Sequence, residues 1–297
     1  MTPLFLFLIG LCAGSFLNVV IFRYFPEDGF FCNLKKCNGR SKCMTCEKTL
    51  KWYELIPVVS FFAQVGHCRG CGAKISWQYP LVELAGGFTF LLPFYFSAHS
   101  FLAGQALFTI LDSSFLISSA LWIAIFLIFI LIWAIDYKFY IIPDELNVFL
   151  AVLGILLVAE NAFIKNFSEF GQGSFLGSFS MLFGFRENIW TNHLLGVVIG
   201  LLAVGLIILI TRGKGMGMGD LKLAGALGII FGWPDIIFVL TFSFIIGSIY
   251  GIYLLIKRIK GFKDSVPFGP FLVLGSVILI FFGQNILAQY FKFFELL

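Results

Sequence analysis

Long apolar runs separated by short polar stretches dominate the chain. A helix that crosses a bilayer needs roughly 20 mostly apolar residues, because each backbone polar group must find its partner inside the hydrocarbon. Eight runs meet or approach that length: 3–25, 80–98, 113–135, 146–160, 189–211, 221–232, 235–256 and 268–290, of which the fourth and sixth are short. The pattern predicts an all-α polytopic membrane protein of about eight transmembrane helices. The first run contains Ala13-Gly14-Ser15, small residues of the kind found at signal-peptide cleavage sites, but no basic segment precedes it and apolar residues continue to Phe22. It reads as a retained helix. One sizeable polar interval, 26–79, divides the chain into a first transmembrane helix (1–25), a small insertion (26–79) and a helical remainder (80–297). A second interval, 161–188, is rich in Phe, Gly and Ser. It reads as a partly membrane-associated external loop to which no function is assigned.

Composition places the chain in lipid. Of 297 residues, 60% are hydrophobic and 12% charged, against about 25% charged in an average soluble domain. The net charge of +4 gives no signature of nucleic-acid binding. Lys and Arg collect on the cytoplasmic side of membranes. With 26–79 inside, alternation puts 137–145, 212–220 and 257–267 inside as well, and all of the 20 basic residues except Lys165, Arg186 and Lys292 fall within or at the rim of these regions. An even number of spans with both termini outside preserves that asymmetry.

The insertion carries Cys43-Met-Thr-Cys46 and Cys68-Arg-Gly-Cys71. Each C-x-x-C turn points two thiolates inward, and two turns close a tetrahedron around Zn²⁺ in the manner of a zinc ribbon. Lys42, Lys48, Arg69 and Lys74 flank the cysteines and offset the charge of a tetrathiolate. The alternatives are two disulfides or free thiols, and a reducing cytoplasmic face disfavours disulfides. Four thiolates leave no open coordination position, so the expected role is structural. Cys32 and Cys37 read as spare thiols, and Cys12 as a small apolar residue of a helix.

Ionisable residues in or beside membrane helices are costly and call for a function. Asp136 closes the third run, and Asp220 ends Gly215-Met-Gly-Met-Gly-Asp220 before the sixth. The predicted topology puts both on the cytoplasmic side. An aspartyl peptidase needs two carboxylates that share a proton, one acting as base on a water and the other as acid toward the carbonyl oxygen. Gly217 and Gly219 remove side chains beside Asp220 and let an extended substrate backbone approach. Taken singly, either aspartate reads as an interfacial cap; together, on one side, with the glycine run, they point to catalysis. Asp144 reads as a cap, Asp112 and Asp235 as external boundary residues, and Glu83 either as an ion-pair partner or as a site for a substrate amine. A transporter or assembly scaffold is the competing class, although it predicts carboxylates near the bilayer midplane.

Together these motifs resemble the bacterial type IV prepilin peptidase family, also called leader peptidase/N-methyltransferase. The resemblance extends over nearly the whole chain. It includes Gly14-Ser-Phe-Leu-Asn-Val-Val-Ile-Phe-Arg23, the paired C-x-x-C insertion, Ile56-Pro-Val-Val-Ser60 and Ile75-Ser-Trp-Gln-Tyr-Pro-Leu-Val-Glu-Leu84. The two aspartate segments and Val266-Pro-Phe-Gly-Pro270 complete it. The resemblance implies cleavage of basic leaders from prepilins or pseudopilins at the cytoplasmic face of the bacterial inner membrane. It further implies methylation of the new N-terminus with S-adenosylmethionine, and pilus or type II secretion assembly components as partners. Peptidase activity without methyl transfer is the alternative within the family. Carried over, the catalytic residues are Asp136 and Asp220, the G-x-G-D glycines are Gly217 and Gly219, and the zinc ligands are Cys43, Cys46, Cys68 and Cys71. The sequence departs from the family pattern in its extra Cys32 and Cys37 and in the length of the 161–188 loop. No glycine-rich nucleotide-binding segment is visible for the methyl donor.

Overall fold

The computed structural model describes residues 3–30, 39–95, 113–163, 174–183, 188–261 and 264–295. Among them the regular structure is helical, with isolated bridges in place of a sheet. The helices whose bounds lie within the described residues are, in order, α1 (Pro3–Arg23), α2 (Val59–Ala63), α3 (Gln78–Thr89), α4 (Ser113–Phe139), α5 (Asp144–Phe163), α6 (Ile189–Thr211), α7 (Met218–Phe231), α8 (Asp235–Ile256) and α9 (Gly269–Glu295). Six of these, α1, α4, α5, α6, α8 and α9, are long and apolar enough to cross a membrane. Within two of the eight runs lie shorter helices: α3 with 12 residues, after which a turn at 90–91 leads into further helix at 92–95, and α7 with 14. At 1.5 Å per residue α7 is roughly 21 Å long, less than the ~30 Å hydrocarbon thickness.

The chain forms two compact units, 1–131 and 132–297, with the boundary inside α4. In the first unit α1 packs along α3. Their backbones approach closely because Gly10 and Gly14 of α1 face Gly86 of α3: a Cβ on Gly86 would meet the Gly10 carbonyl oxygen at 2.6 Å and the Gly14 Cα at 2.8 Å. Small residues spaced four apart permit such contact in lipid, where helix association relies on close packing. Because α1 pairs with α3, the first helix, the cysteine insertion and the second apolar helix belong to one unit.

In the second unit α7 is the central helix, packed against α5, α6, α8 and α9. Leu223, Ala224 and Leu227 of α7 are fully buried. The α6–α7 contact repeats the small-residue solution, since a Cβ on Gly228 would meet the Gly196 carbonyl oxygen at 2.5 Å. Large side chains on the outer faces, such as Leu209 and Ile210 of α6, stay exposed, as expected of surface turned toward lipid. Asp235 opens α8, at the helix boundary where the sequence reading puts it, and is fully buried. Its carboxylate accepts hydrogen bonds from the Ser174 hydroxyl and the Phe175 N–H, which fastens the segment 174–183 to this unit. Cys32, Cys37 and Asp112 lie outside the described residues.

Candidate active site and metal centre

Asp136 sits one turn before the end of α4 with 4% of its surface exposed. This is not the water-accessible helix end that a capping role assumes. After Phe139 the chain reverses at Tyr140, whose φ is 58° and whose N–H donates to the Asp136 carbonyl oxygen. The side-chain Oδ2 of Asp136 accepts the N–H of Gly269 at 2.9 Å. Gly269 is the first residue of α9, so this donor is one of the N–H groups left without a partner at a helix N-terminus. The positive end of the helix dipole favours a carboxylate there.

Asp220 is the third residue of α7, with Gly217 in the capping position, so the N-cap expected at Asp220 falls three residues earlier. Its Oδ2 accepts the Gly217 N–H at 3.0 Å. Two carboxylates thus take a backbone donor, each at the start of a different helix. They lie within electrostatic reach of each other. Ile142 joins their surroundings: its Cβ is 3.3 Å from where a Cβ on Gly219 would sit, and its Cδ1 is 3.1 Å from the same position on Gly269. Gly217 faces open space, where an added Cβ would meet only the Asp220 Oδ2 at 3.7 Å and the Gly219 nitrogen at 3.9 Å.

Two exposed contacts tie the surrounding loops. Lys222 Nζ pairs with Asp144 Oδ2 at 2.6 Å, joining the first residue of α5 to the fifth of α7. Lys260 Nζ donates to the Tyr140 hydroxyl at 2.8 Å, linking the segment before Gly269 to the end of α4. Sequence reasoning assigns no role to Gly269 or Ile142. The signal available for Gly269 was a glycine immediately before Pro270 at the start of an apolar run.

The four predicted cysteines converge in the first unit. Their sulfurs lie within 4.8 Å of one another, and Cys43 Sγ is 3.9 Å from Cys71 Sγ. A tetrahedral zinc with bonds of about 2.3 Å places its sulfurs about 3.8 Å apart, whereas a disulfide requires about 2.05 Å. The geometry fits the metal and not the disulfide, and all four are free thiols. The two knuckles are built alike, with the N–H of Cys43 bonded to the Lys48 carbonyl and that of Cys68 to the Ala73 carbonyl. In each the residue after the second cysteine is left-handed, Glu47 at φ 54° and Gly72 at φ 71°. The N–H groups of Cys46 and Thr45 lower the Cys43 thiol to about 6. The Ala73 N–H lowers that of Cys71, but burial and the neighbouring sulfurs outweigh it and push the group up to about 11. A divalent cation removes that conflict by stabilising all four as thiolates.

Among the flanking bases, Lys48 is 3.3 Å from Glu54 and Arg69 lies over the Tyr53 ring. Glu83 is buried in α3 and makes no ion pair among the described residues. Its carboxylate accepts the Val58 N–H at 2.7 Å.

Comparison with known proteins agrees with this division. A family model described as the bacterial peptidase A24 N-terminal domain matches residues 8–97, and one described as the type IV leader peptidase family matches residues 123–252. The first range contains the cysteine cluster and the second contains both aspartates. A prepilin leader peptidase/N-methyltransferase of Aeromonas salmonicida is 31% identical over 96% of this chain and 92% of its own length. Proteins of the same name from Stutzerimonas stutzeri and Bacillus subtilis are each 28% identical over 97% of this chain, covering 93% and 97% of their own lengths. No solved structure matches the chain significantly. The chain belongs to the type IV leader peptidase family.

Proposed function

We propose that this protein cleaves the leader from type IV prepilins or pseudopilins at the cytoplasmic face of the bacterial inner membrane, with Asp136 and Asp220 as its catalytic dyad, and then N-methylates the new N-terminus. The observation that carries the reading is the pair of aspartates, each held by a backbone N–H at a helix start and within electrostatic reach of the other. One carboxylate, ionised, takes a proton from a water as its oxygen adds to the scissile carbonyl carbon. The other, protonated, gives its proton to the carbonyl oxygen. When the tetrahedral intermediate collapses, the C–N bond breaks and the leaving amine takes the proton that the first carboxylate had removed from water. The fixed N–H donors hold both carboxylates in place before substrate arrives, so little reorganisation is needed in the transition state.

A prepilin presents a basic leader followed by an apolar helix, so the leader stays in water while the helix lies in lipid and the junction meets the dyad. The open space at Gly217 supports passage of an extended backbone beside Asp220. S-adenosylmethionine, when bound, would supply the methyl group that the new N-terminal amine accepts as it gives up a proton. Cys43, Cys46, Cys68 and Cys71 hold a structural zinc that folds the 26–79 insertion, and residues 80–297 carry the peptidase chemistry.

The test is cleavage of a prepilin in liposomes by the native protein, Asp136→Asn and Asp220→Asn, with the product N-terminus read by mass spectrometry with and without S-adenosylmethionine. Loss of cleavage in both variants, with native product heavier by one CH₂ only when the methyl donor is present, is expected. Native-level cleavage by either variant would remove that residue from the dyad and favour a scaffold or transporter.

A further inference from the structure

The cysteine insertion presents an apolar face that neither the zinc cluster nor the peptidase chemistry uses. Val59 and Phe62 on α2, Val65 just after it and Trp77 at the start of α3 are each more than half exposed. Exposed apolar side chains are ordinary when scattered singly, but these are gathered. The Trp77 ring lies 6.3 Å from that of Phe62 and 4.9 Å from that of Phe61, the buried side chain of α2.

Packing of α1 on α3 fixes the depth of this face. Gly10 meets Gly86, Gly14 meets Val82 and Glu83, and the Asn18 side chain donates to the Tyr79 carbonyl at 3.0 Å. The contacts advance one turn along α1 as they retreat one turn along α3, so the two helices are antiparallel and Trp77 is level with the last turn of α1. That helix is long and apolar enough to cross a membrane and ends at Arg23. Its last turn is the level where hydrocarbon gives way to headgroups and where tryptophan and basic residues collect. Trp77 also continues the outer stripe of α3, because Leu81 and Phe88 are exposed at helical spacing from it. The apolar face of α2 is therefore continuous with a surface turned toward lipid.

The turn after α2 is held at the same level. Val65 has φ 51° and Gly66 φ 67°, and the Gly66 N–H donates to the Phe61 carbonyl at 2.9 Å. The Gly66 carbonyl accepts the N–H of Ile75, two residues before Trp77, at 2.7 Å. Val65 is thus a β-branched residue in the left-handed region, where such residues are rare, and its side chain is 79% exposed. Strain of this kind persists where the surroundings impose it, commonly at functional sites. In water the side chain gains nothing from this placement, whereas against acyl chains it does.

Charge indicates the kind of surface that fits. From Leu55 to Val82 the chain holds no Asp or Glu, while Arg69 and Lys74 are exposed. A backbone bridge pairs Lys74 with His67, two residues after Val65, which sets the lysine beside the apolar tip. A bilayer with anionic headgroups complements the apolar face and its basic border together.

We propose that Val59, Phe62, Val65 and Trp77, with Lys74 beside them, dock the cysteine insertion on the anionic lipid leaflet at the end of α1. The zinc knuckles are then seated on the membrane surface and do not project freely into water.

The test uses full-length protein in nanodiscs of phosphatidylethanolamine and phosphatidylglycerol. A photoreactive benzoylphenylalanine is introduced singly in place of Val59, Phe62 or Val65, with Leu81 as the lipid-facing reference, and the irradiated products are read by mass spectrometry and denaturing gel. Phospholipid adducts at all three positions, in yield comparable to that at Leu81, are expected. Phe62→Glu combined with Val65→Glu changes two exposed side chains. Lipid labelling from Val59 should then fall about tenfold or more, because apolar burial is replaced by charge repelled from an anionic surface. Zinc content reports folding of that variant, and the single-probe proteins decide the matter whether or not it folds. Labelling at Leu81 without labelling at Phe62 and Val65 overturns the docking. Cross-links that double the protein's mass at these positions overturn it in favour of a contact between two copies of the chain. Undiminished labelling from Val59 in the zinc-loaded double variant overturns it too, since the insertion would then be seated by other residues.

Discussion

Replacing Gly269 by alanine tests whether the backbone donor at the start of α9 sets the position of the Asp136 carboxylate. The new Cβ would fall 2.7 Å from Asp136 Oδ2, 3.1 Å from Ile142 Cδ1 and 3.3 Å from Asp136 Cγ. Ordinary contact begins at 3.4 Å, so the carboxylate or the helix start must move by about 0.7 Å. Room for that movement is scarce, since Ile132 and Ile135 on the same helix and Leu272 on α9 are fully buried. A displacement near 1 Å in a catalytic group costs up to about 10²-fold in rate, so kcat for leader cleavage is expected to fall about 10- to 100-fold, equivalent to roughly 1.4–2.7 kcal/mol of barrier. Overpacking also destabilises the fold by about 1–3 kcal/mol, which thermal unfolding in detergent measures separately. The assay is steady-state cleavage of a prepilin in mixed micelles. A lowered kcat with KM within about twofold of native fits a misplaced catalytic group. A folded Gly269→Ala protein with native kcat would refute the claim that this contact positions Asp136.

Gly217→Ala is expected to behave differently, because Gly217 has φ −90° and its added Cβ meets nothing closer than 3.7 Å. The free protein should keep its native thermal stability, while KM for prepilin rises about tenfold if the open space admits substrate backbone; an unchanged KM removes Gly217 from the substrate path. Cys68→Ser, at the most buried of the four sulfurs, should reduce bound zinc from one ion per chain to a small fraction, measured by elemental analysis. Hydrogen exchange should quicken across residues 41–76 in that variant and in chelator-treated native protein, and native-like protection after complete zinc removal would deny the metal its structural role. Glu54 contributes a pH dependence: the Lys51 N–H and the Lys48 ammonium hold its carboxyl below the ordinary value against the opposing effect of burial. With the folded-state value depressed, its stabilisation is full above the ordinary carboxylate range and fades as pH falls through the lowered value. Glu54→Gln should therefore open residues 41–76 to exchange at neutral pH but match native protein in acid, and an equal difference at both would contradict the linkage.

The long helices were readable because their signal is local. A run such as 189–211 is unbroken by polar residues from Leu194 to Ile210, and α6 occupies Ile189–Thr211. The zinc knuckles were readable for a similar reason, since each is closed by residues close in sequence, from Cys43 to Lys48 and from Cys68 to Ala73. The shorter runs were read less well at their ends. The run 80–98 contains a helix beginning at Gln78 and ending at Thr89, and the run 221–232 begins its helix at Met218. In α7 the start lies earlier because Gly217 takes the capping position and the Asp220 carboxylate accepts its N–H. What the sequence concealed are contacts made by backbone donors across long separations. Gly269 reaches Asp136 over 133 positions, and Val58 reaches Glu83 over 25. An N–H has no side-chain signature, so neither donor stands out in a list of ionisable or nucleophilic residues. Gly269 is recognisable only through what it lacks: without a Cβ the helix start can approach a buried carboxylate closely enough to bond it. A bare glycine before a proline at the start of an apolar helix, in a chain with an unpaired aspartate near a helix end, is therefore a sequence feature that merits testing as a carboxylate anchor.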